Sequence, residues 1–568
     1  SRLRTFSPPF LIAFHSGTRS FFSLTMRAAM STWAAVLAGT APEQIHLALG
    51  MTEDTMSVAW VTPDDTAGNV EFGEAEAGNL SSVEVGDSRA FTLDANRTWY
   101  THMAIMKNLQ PNTKYSYRVG GKGGYSQVYN FTNRRQGTPY RHVIFGDMGS
   151  ACAFSICEAC TGDSEICNAT TCAGKKNGLI LEAEEADIMT HVGDFGYDLD
   201  SNGGTTGDNF MRNIEQLAAK VPYMVSHGNH EDTHEKLAHY IERFRSQPSN
   251  AEPPLFNSKN GKTTNSLYFS WDYGLVHYVS MSTELWSLVG DLEVNVFSFL
   301  KWLKKDLARA QENRKNVPWI VVHGHRSIYC SCDADCGIPA WWIRLEMEPI
   351  LMEFGVDFFI NGHEHNYERS YPMHKGKSNK STKNPTAPMY VVTGAAGSHE
   401  MHEPFNRKQP SWSAFRSNSF GYSRFFVYNS THLHWQQVQT DPTQFPESEY
   451  GRVIDDAWII QENHGPFSED KAPQGEACPT EAHCPNRSHD HWLPLLDIGA
   501  DSYGPGVELI QQFRQQNGDM AYAGRLALLQ KWARENLAPS AAWKDGGLEW
   551  EDVREDGSSD GVGITELV

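Results

Sequence analysis

The sequence predicts an α+β or α/β chain in which an N-terminal β-sandwich is followed by a layered α/β domain with mixed sheets. Three observations carry this prediction. At 568 residues the chain is too long for one ordinary domain. Between about 42 and 135, short alternating runs are separated by Gly, Pro, Asn and Asp clusters. After about 138, short apolar runs are interleaved with helical patterns.

Residues 1–41 read as a leader. From Met26, the run Met-Arg-Ala-Ala-Met-Ser-Thr-Trp-Ala-Ala-Val-Leu-Ala-Gly-Thr has a basic start, a short apolar core and small residues after it, the order of a signal peptide. Residues 1–25 are either sequence upstream of the true start or part of a longer leader. In 42–135 the strands are Ser57–Thr62, Tyr100–Ile105 and Tyr115–Val119. The Leu109-Gln110-Pro111-Asn112-Thr113 turn resembles a corner of fibronectin type III sandwiches, and no acid, base or ligand cluster falls in this module.

The layered domain is expected over 138–465. Its strands are His142–Phe145, Ile188–Val192, Val221–Val225, Trp319–Val322 and Val356–Ile360, with Met389–Thr393, Phe425–Tyr428 and His432–Trp435 following on shorter links. Phe299–Leu307 is helical, with Leu300, Leu303 and Leu307 on one face, and a second helix ends at Phe354. Residues 466–568 form an extension in which Val507–Leu537 has helical periodicity and Glu549–Asp560 is acidic and expected to be disordered.

A net charge of -21 argues against nucleic-acid binding, which requires a basic surface to displace counterions. No apolar run is long enough to span a membrane. The ten cysteines cluster at 152, 157, 160, 167 and 172, at 330, 332 and 336, and at 478 and 484. Such density fits disulfides in an oxidising compartment, with a zinc site around Cys157 and Cys160 as the alternative. Sequons begin at Asn79, Asn96, Asn130, Asn168, Asn379, Asn429 and Asn486. Together these features favour a secreted glycoprotein.

The chemistry concentrates at the ends of strands. Phe145 leads into Gly146-Asp147-Met148-Gly149, and Val192 into Gly193-Asp194-Phe195-Gly196-Tyr197. Val225 is followed by Ser226-His227-Gly228-Asn229-His230-Glu231, Val322 by His323-Gly324-His325, and Ile360 by Asn361-Gly362-His363-Glu364-His365. An isolated His-x-His is more often a surface pair than a ligand pair. Five polar, mostly Gly-flanked motifs at one edge of open sheets, where ligand sites gather, are much harder to produce by chance.

In this order the five motifs are the signature blocks of the purple acid phosphatases, within the calcineurin-like metallophosphoesterases, and the sequence resembles that family from about 42 to 462. The runs His325–Ser331 and Thr393–Gly397 with Glu403-Pro404-Phe405 look closest to the long, animal-type branch. The resemblance implies that Asp147, Tyr197 and His365 hold a ferric ion, that Asn229, His325 and His363 hold a divalent zinc, iron or manganese ion, and that Asp194 bridges them. A free tyrosine titrates near about 10, so only a strongly charged neighbour keeps Tyr197 deprotonated at neutral or acid pH.

Two such ions about 3.5–4 Å apart polarise a phosphate ester and generate hydroxide at modest pH. The implied reaction is therefore hydrolysis of a small phosphate monoester, with His230 matching the family histidine that contacts phosphate and assists the leaving group. His323 falls on the other strand face from His325 and reads as packing first, while His399 and His402 lie in a loop expected near the site. Family members are often dimeric, so a homodimer is implied as well.

Two departures stand out. A cysteine-rich insert separates Asp147 from Asp194, and a disulfide linking it to the 330–336 cluster is expected. Ser327 occupies a position where the family pattern has proline. Two alternatives remain open at this point: a secreted metallophosphodiesterase or nucleotide pyrophosphatase, and a non-catalytic secreted binding protein. The complete donor set weighs against the second.

Overall fold

The computed structural model of the chain describes residues 41–473 apart from 66–67, 95–96, 150–177, 233–236, 249, 252–254, 258–260, 264–265, 287–295, 333–335, 337, 399, 401, 407, 442–443, 445–448 and 450. The leader, the five-cysteine insert with its expected disulfide to the 330–336 cluster, His399, and the helical and acidic segments of the C-terminal extension lie outside the described residues.

Alternating side chains build the N-terminal sandwich. Along Lys114–Gly121, Tyr115, Tyr117 and Val119 are buried between the more exposed Ser116 and Arg118. One antiparallel sheet orders Glu43–Leu49, Met56–Thr62, Arg97–Met106 and Asp87–Asp94. The other orders Ser82–Val85, Gly68–Glu74, Lys114–Gly121 and Gly124–Tyr125, with Tyr129–Thr132 also paired to Lys114–Gly121. Their inner faces meet through Val58, Trp60, Val70, Phe72, Tyr117 and Val119.

The second half contains two facing mixed sheets. A six-stranded sheet orders Tyr223–Ser226, Ile188–Val192, Tyr140–Phe145, Gly421–Val427, His432–Gln439 and Arg452–Ile460; the first three strands are parallel and the rest antiparallel. A seven-stranded sheet orders Phe269–Tyr273, Val276–Ser280, Trp319–His323, Phe358–Asn361, Met389–Thr393, Tyr367–Ser370 and Ser413–Ser417, with a parallel centre running from Val276–Ser280 to Met389–Thr393.

Strand period decides which layer each side chain joins. Ile144, Ile188, Val192, Trp319, Val321, Phe358 and Ile360 pack between the sheets, in a core continuous with that of the sandwich. Their neighbours Val143, Phe145, Met189, Ile320, Val322 and Phe359 face outward onto helices. Thr205–Ala218 buries Phe210, Met211, Ile214 and Leu217. Val296–Glu312 buries Phe299, Leu303 and Leu307 at helical spacing, with Leu300 partly buried at the edge of that stripe. Each such large apolar side chain contributes about 1.5–3 kcal/mol of burial free energy.

The sandwich is held to the second half by buried charge. The Asp208 carboxylate is fully buried and accepts from Arg97, Trp99 and Arg243. Arg245 reaches back to Asp87 at 2.8 Å, and the Tyr117 hydroxyl donates to the Ala219 carbonyl at 2.8 Å. Removing one partner of so buried a pair costs more than the pair contributes, because the survivor is left uncompensated.

Candidate metal centre

All five motifs sit where parallel strands end. Tyr140–Phe145, Ile188–Val192 and Tyr223–Ser226 deliver Asp147, Asp194 with Tyr197, and Asn229 with His230, while Trp319–His323 and Phe358–Asn361 deliver His325, His363 and His365 from the facing sheet. The loops stay linked beyond the sheets. Asp147 N donates to Gly193 O at 3.1 Å, Met148 N to Asp194 O at 3.3 Å, and Gly362 N to His325 O at 2.9 Å.

Inside this frame the backbone is strained. Asp147, Asp194, Tyr197, Asp198 and His363 have φ of 61°, 52°, 55°, 61° and 71°, a left-handed region that costs non-glycine residues roughly 1–3 kcal/mol each and clusters at functional sites. Glycine is needed where ligand loops touch. A Cβ on Gly228 would lie 2.2 Å from Asp194 Oδ1, and one on Gly362 would lie 2.3 Å from Asp147 Oδ2.

The seven predicted donors converge. Tyr197 Oη is 2.6 Å from His365 Nε2, which lies 3.6 Å from Asp147 Oδ1. His325 Nε2 lies 3.1 Å from Asp194 Oδ2, 3.1 Å from Asn229 Oδ1 and 3.2 Å from His363 Nδ1. The peptide N–H of His363 donates to Asp147 Oδ2 at 3.0 Å and ties the two groups together.

The electrostatics call for cationic charge. Burial, reinforced by Asp194, raises the Asp147 carboxyl well above its usual range, and Asp147 Oδ1 has no hydrogen-bond partner among the described residues. For His325, burial alone would lower the imidazole, but Asp194 and Asp147 outweigh it and push it up to about 10. Burial also raises Asp194, while His325 lowers it by more. Two buried carboxylates thus converge on one buried imidazole, and the cost of ionising Asp147 there is relieved by added cationic charge. Nitrogen, carboxylate, amide and phenol oxygens on both sides are a donor set suited to hard and borderline cations, so the residues present fit a metal centre. Burial and Asp147 hold the Tyr197 phenol well above its ordinary pKa, an effect that an adjacent cation would reverse.

Three further residues act around the donors, and their motifs alone do not reveal those roles. Glu231 is buried and accepts from the N–H groups of Asp194 (2.9 Å), Phe195 (3.0 Å) and Gly228 (2.8 Å), joining the Asp194 and Asn229 loops. Asp198 takes His230 Nδ1 at 2.9 Å. Burial lowers the His230 imidazole, but Asp194 and Asp198 raise it by more. Arg326 binds Glu284 at 2.8 Å through Nε and extends Nη1 to within 3.0 Å of His363 Nε2. The sequence signal for these roles is proximity: each lies within two positions of a predicted donor.

His323 is buried, 3.0 Å from Ser226 Oγ and against Trp271, so it serves packing. His402 pairs with Asp441 at 3.2 Å and lies against Phe420. Cys330 is bonded to Cys336 within its own cluster.

The comparisons with known proteins assign the class first. The calcineurin-like phosphoesterase family model matches residues 140–367, the span holding all five motifs. The purple acid phosphatase N-terminal domain matches 42–133, and the iron/zinc purple acid phosphatase-like C domain matches 387–455. The chain belongs to the purple acid phosphatase family, which implies a binuclear metal centre. It is 33% identical over 460 residues to acid phosphatase type 7 of Danio rerio, covering 77% of this chain and 95% of that one. The Homo sapiens acid phosphatase type 7 is 32% identical, with 74% and 91% covered. A purple acid phosphatase from yellow lupin seeds matches in structure with a TM-score of 0.58 and 25% identity, over 74% and 75% of the two chains.

Proposed function

We propose that this chain is a secreted acid phosphatase that hydrolyses small phosphate monoesters at a binuclear centre. The observation that carries the reading is the convergence of Asp147, Asp194, Tyr197, Asn229, His325, His363 and His365 around buried carboxylates that require cationic charge. Asp147, Tyr197 and His365 would hold a ferric ion, and Asn229, His325 and His363 a divalent zinc, iron or manganese ion, with Asp194 shared between them. When bound, the pair supplies the charge that polarises a phosphate ester and acidifies water.

The chain's own residues do the rest. Asp198 fixes Nδ1 of His230, while Nε2, 3.8 Å from Glu400, is placed to donate to a phosphate oxygen and to give the imidazolium's own proton to the leaving alkoxide. Glu284 fixes the Nε edge of Arg326, whose guanidinium, with Nη1 3.0 Å from His363 Nε2, adds positive charge beside the site where phosphate would bind. Glu231 keeps the Asp194 and Asn229 loops in register.

The division into a leader over 1–41, a sandwich over 42–135, a catalytic domain over 138–465 and an extension over 466–568 belongs to the same reading, as does homodimer formation. Secretion is supported by the exposed positions of the described sequon residues Asn79, Asn130, Asn379 and Asn429, and among the described residues no helix is long and apolar enough to cross a membrane. Parallel assays with p-nitrophenyl phosphate and bis(p-nitrophenyl) phosphate test the substrate class. A monoester preference is expected, and a diester preference would replace this reading with that of a phosphodiesterase.

A further inference from the structure

We infer that Asn429 carries an N-linked glycan whose first sugar packs on an aromatic platform formed by Tyr428 and Trp458. Asn429-Ser430-Thr431 is a sequon in the turn joining Gly421–Val427 to His432–Gln439. Asn429 is exposed, and its Oδ1 is occupied by the Thr431 N–H at 2.8 Å, the Thr431 hydroxyl at 3.0 Å and His432 Nδ1 at 3.2 Å. The amide nitrogen, the atom that bears a glycan, is thereby left uncommitted among the described residues.

Beside this turn lie the only two exposed aromatic rings among the described residues, Tyr428 at 37% and Trp458 at 43% accessibility. Their centroids are 4.9 Å apart. Beneath them, Trp458 stacks on His434 at 4.3 Å with planes 5° apart, and Asp456 holds His434 Nε2 at 2.9 Å. The Trp458 indole is thus a rigidly supported flat surface, with a polar margin from Asp456 and Gln436.

A pyranose presents one face of C–H groups, and aromatic rings present a negative π face, so the two are complementary in shape and charge. The sugar would cover apolar rings that are otherwise left in water. The sequon supplies the occupant in cis, at the residue next to Tyr428, so no separate ligand has to be recruited. The exposed sequons at Asn79, Asn130 and Asn379 have no comparable exposed aromatic pair among the described residues.

This inference rests on the secretory part of the proposed function and is independent of the phosphatase part. The test uses the full chain secreted from a eukaryotic host. Glycopeptide mass spectrometry measures occupancy at each sequon, and oxidative footprinting measures the accessibility of Tyr428 and Trp458 in the parent, in Asn429→Gln and in Asn379→Gln. Asn429 is expected to be occupied, and Asn429→Gln to raise oxidation of both rings several-fold while Asn379→Gln leaves it unchanged. The melting temperature should fall by about 1–3 °C in Asn429→Gln and not fall further when Trp458→Ala is already present.

Equal oxidation with and without the Asn429 glycan overturns the inference, as does an empty Asn429 in protein that carries glycans elsewhere. If every sequon of an active enzyme is empty, the secretory reading fails with it while the phosphatase reading stands.

Discussion

Glu231→Gln is the most informative single change near the centre, because it alters hydrogen bonding to the ligand loops without replacing a proposed donor. The native carboxylate accepts three peptide N–H groups, two on Oε2 and one on Oε1. Glutamine supplies one oxygen and one NH2. If its oxygen keeps Asp194 and Gly228, the NH2 confronts the Phe195 N–H, so one charge-assisted bond is lost and one buried donor is orphaned. The cost is about 1–3 kcal/mol. Burial and the Asp194 charge already raise Glu231 to about 7, so the carboxylate is held against an opposing field that cations on Asp194 would relieve. A support residue of this kind typically costs about 10–100-fold in metal affinity or activity when replaced. The assay pairs bound-metal content after dialysis with kcat/KM on a monoester and with a melting curve. The variant should remain folded but lose metal more readily and turn over more slowly. Parent-like metal retention and kcat/KM would refute the positioning role.

Gly228→Ala should abolish metal retention, since its Cβ would lie 2.2 Å from Asp194 Oδ1, and metal analysis of the purified variant checks it. His230→Ala should lower kcat by about 100-fold or more with metal content unchanged, and Asp198→Asn should give a smaller loss on the same assay through misorientation of the ring. Away from the centre, His277 lies between Asp272 at 2.6 Å and Asp306 at 2.9 Å. Burial lowers its pKa, but those two bonds raise it by more, to about 9. A raised histidine contributes stability that is complete below about pH 6.5 and is lost as the pH rises through about 9. His277→Gln should therefore destabilise the protein by up to about 3 kcal/mol at pH 6 and by little at pH 10, as read from denaturant melts at the two pH values.

The strand ends were the most legible part of the sequence. Runs such as Ile188–Val192 and Trp319–Val322 are apolar on both faces because each strand is buried between a helix layer and the opposite sheet, so they stand out from the loops they feed. The sandwich was less legible. Gly68–Glu74 buries little beyond Val70 and Phe72, and Ser82–Val85 is mostly exposed, so neither has the apolar density that announces a strand. The helix Thr205–Ala218 is absent from the expected elements because its apolar face begins only at Phe210, after a Gly- and Thr-rich start that reads as a loop. At the site, the donor identities followed from motif order and family resemblance. Glu231, Asp198 and Arg326 act through contacts made by loops far apart in sequence, such as Arg326 with Glu284 and Glu231 with Asp194, and spacing along one chain does not reveal those.

The central claim, that seven donors assemble a mixed iron-containing pair with Tyr197 on the ferric ion, is tested most directly by metal analysis with a visible spectrum. The purified secreted protein and Tyr197→Phe would be measured together, alongside p-nitrophenyl phosphate hydrolysis across pH. The account predicts iron plus a second metal, a purple charge-transfer band that disappears in Tyr197→Phe, and activity at acid pH. Two metals and turnover without that band would contradict the assignment of Tyr197, and a metal-free, inactive protein would contradict the account as a whole.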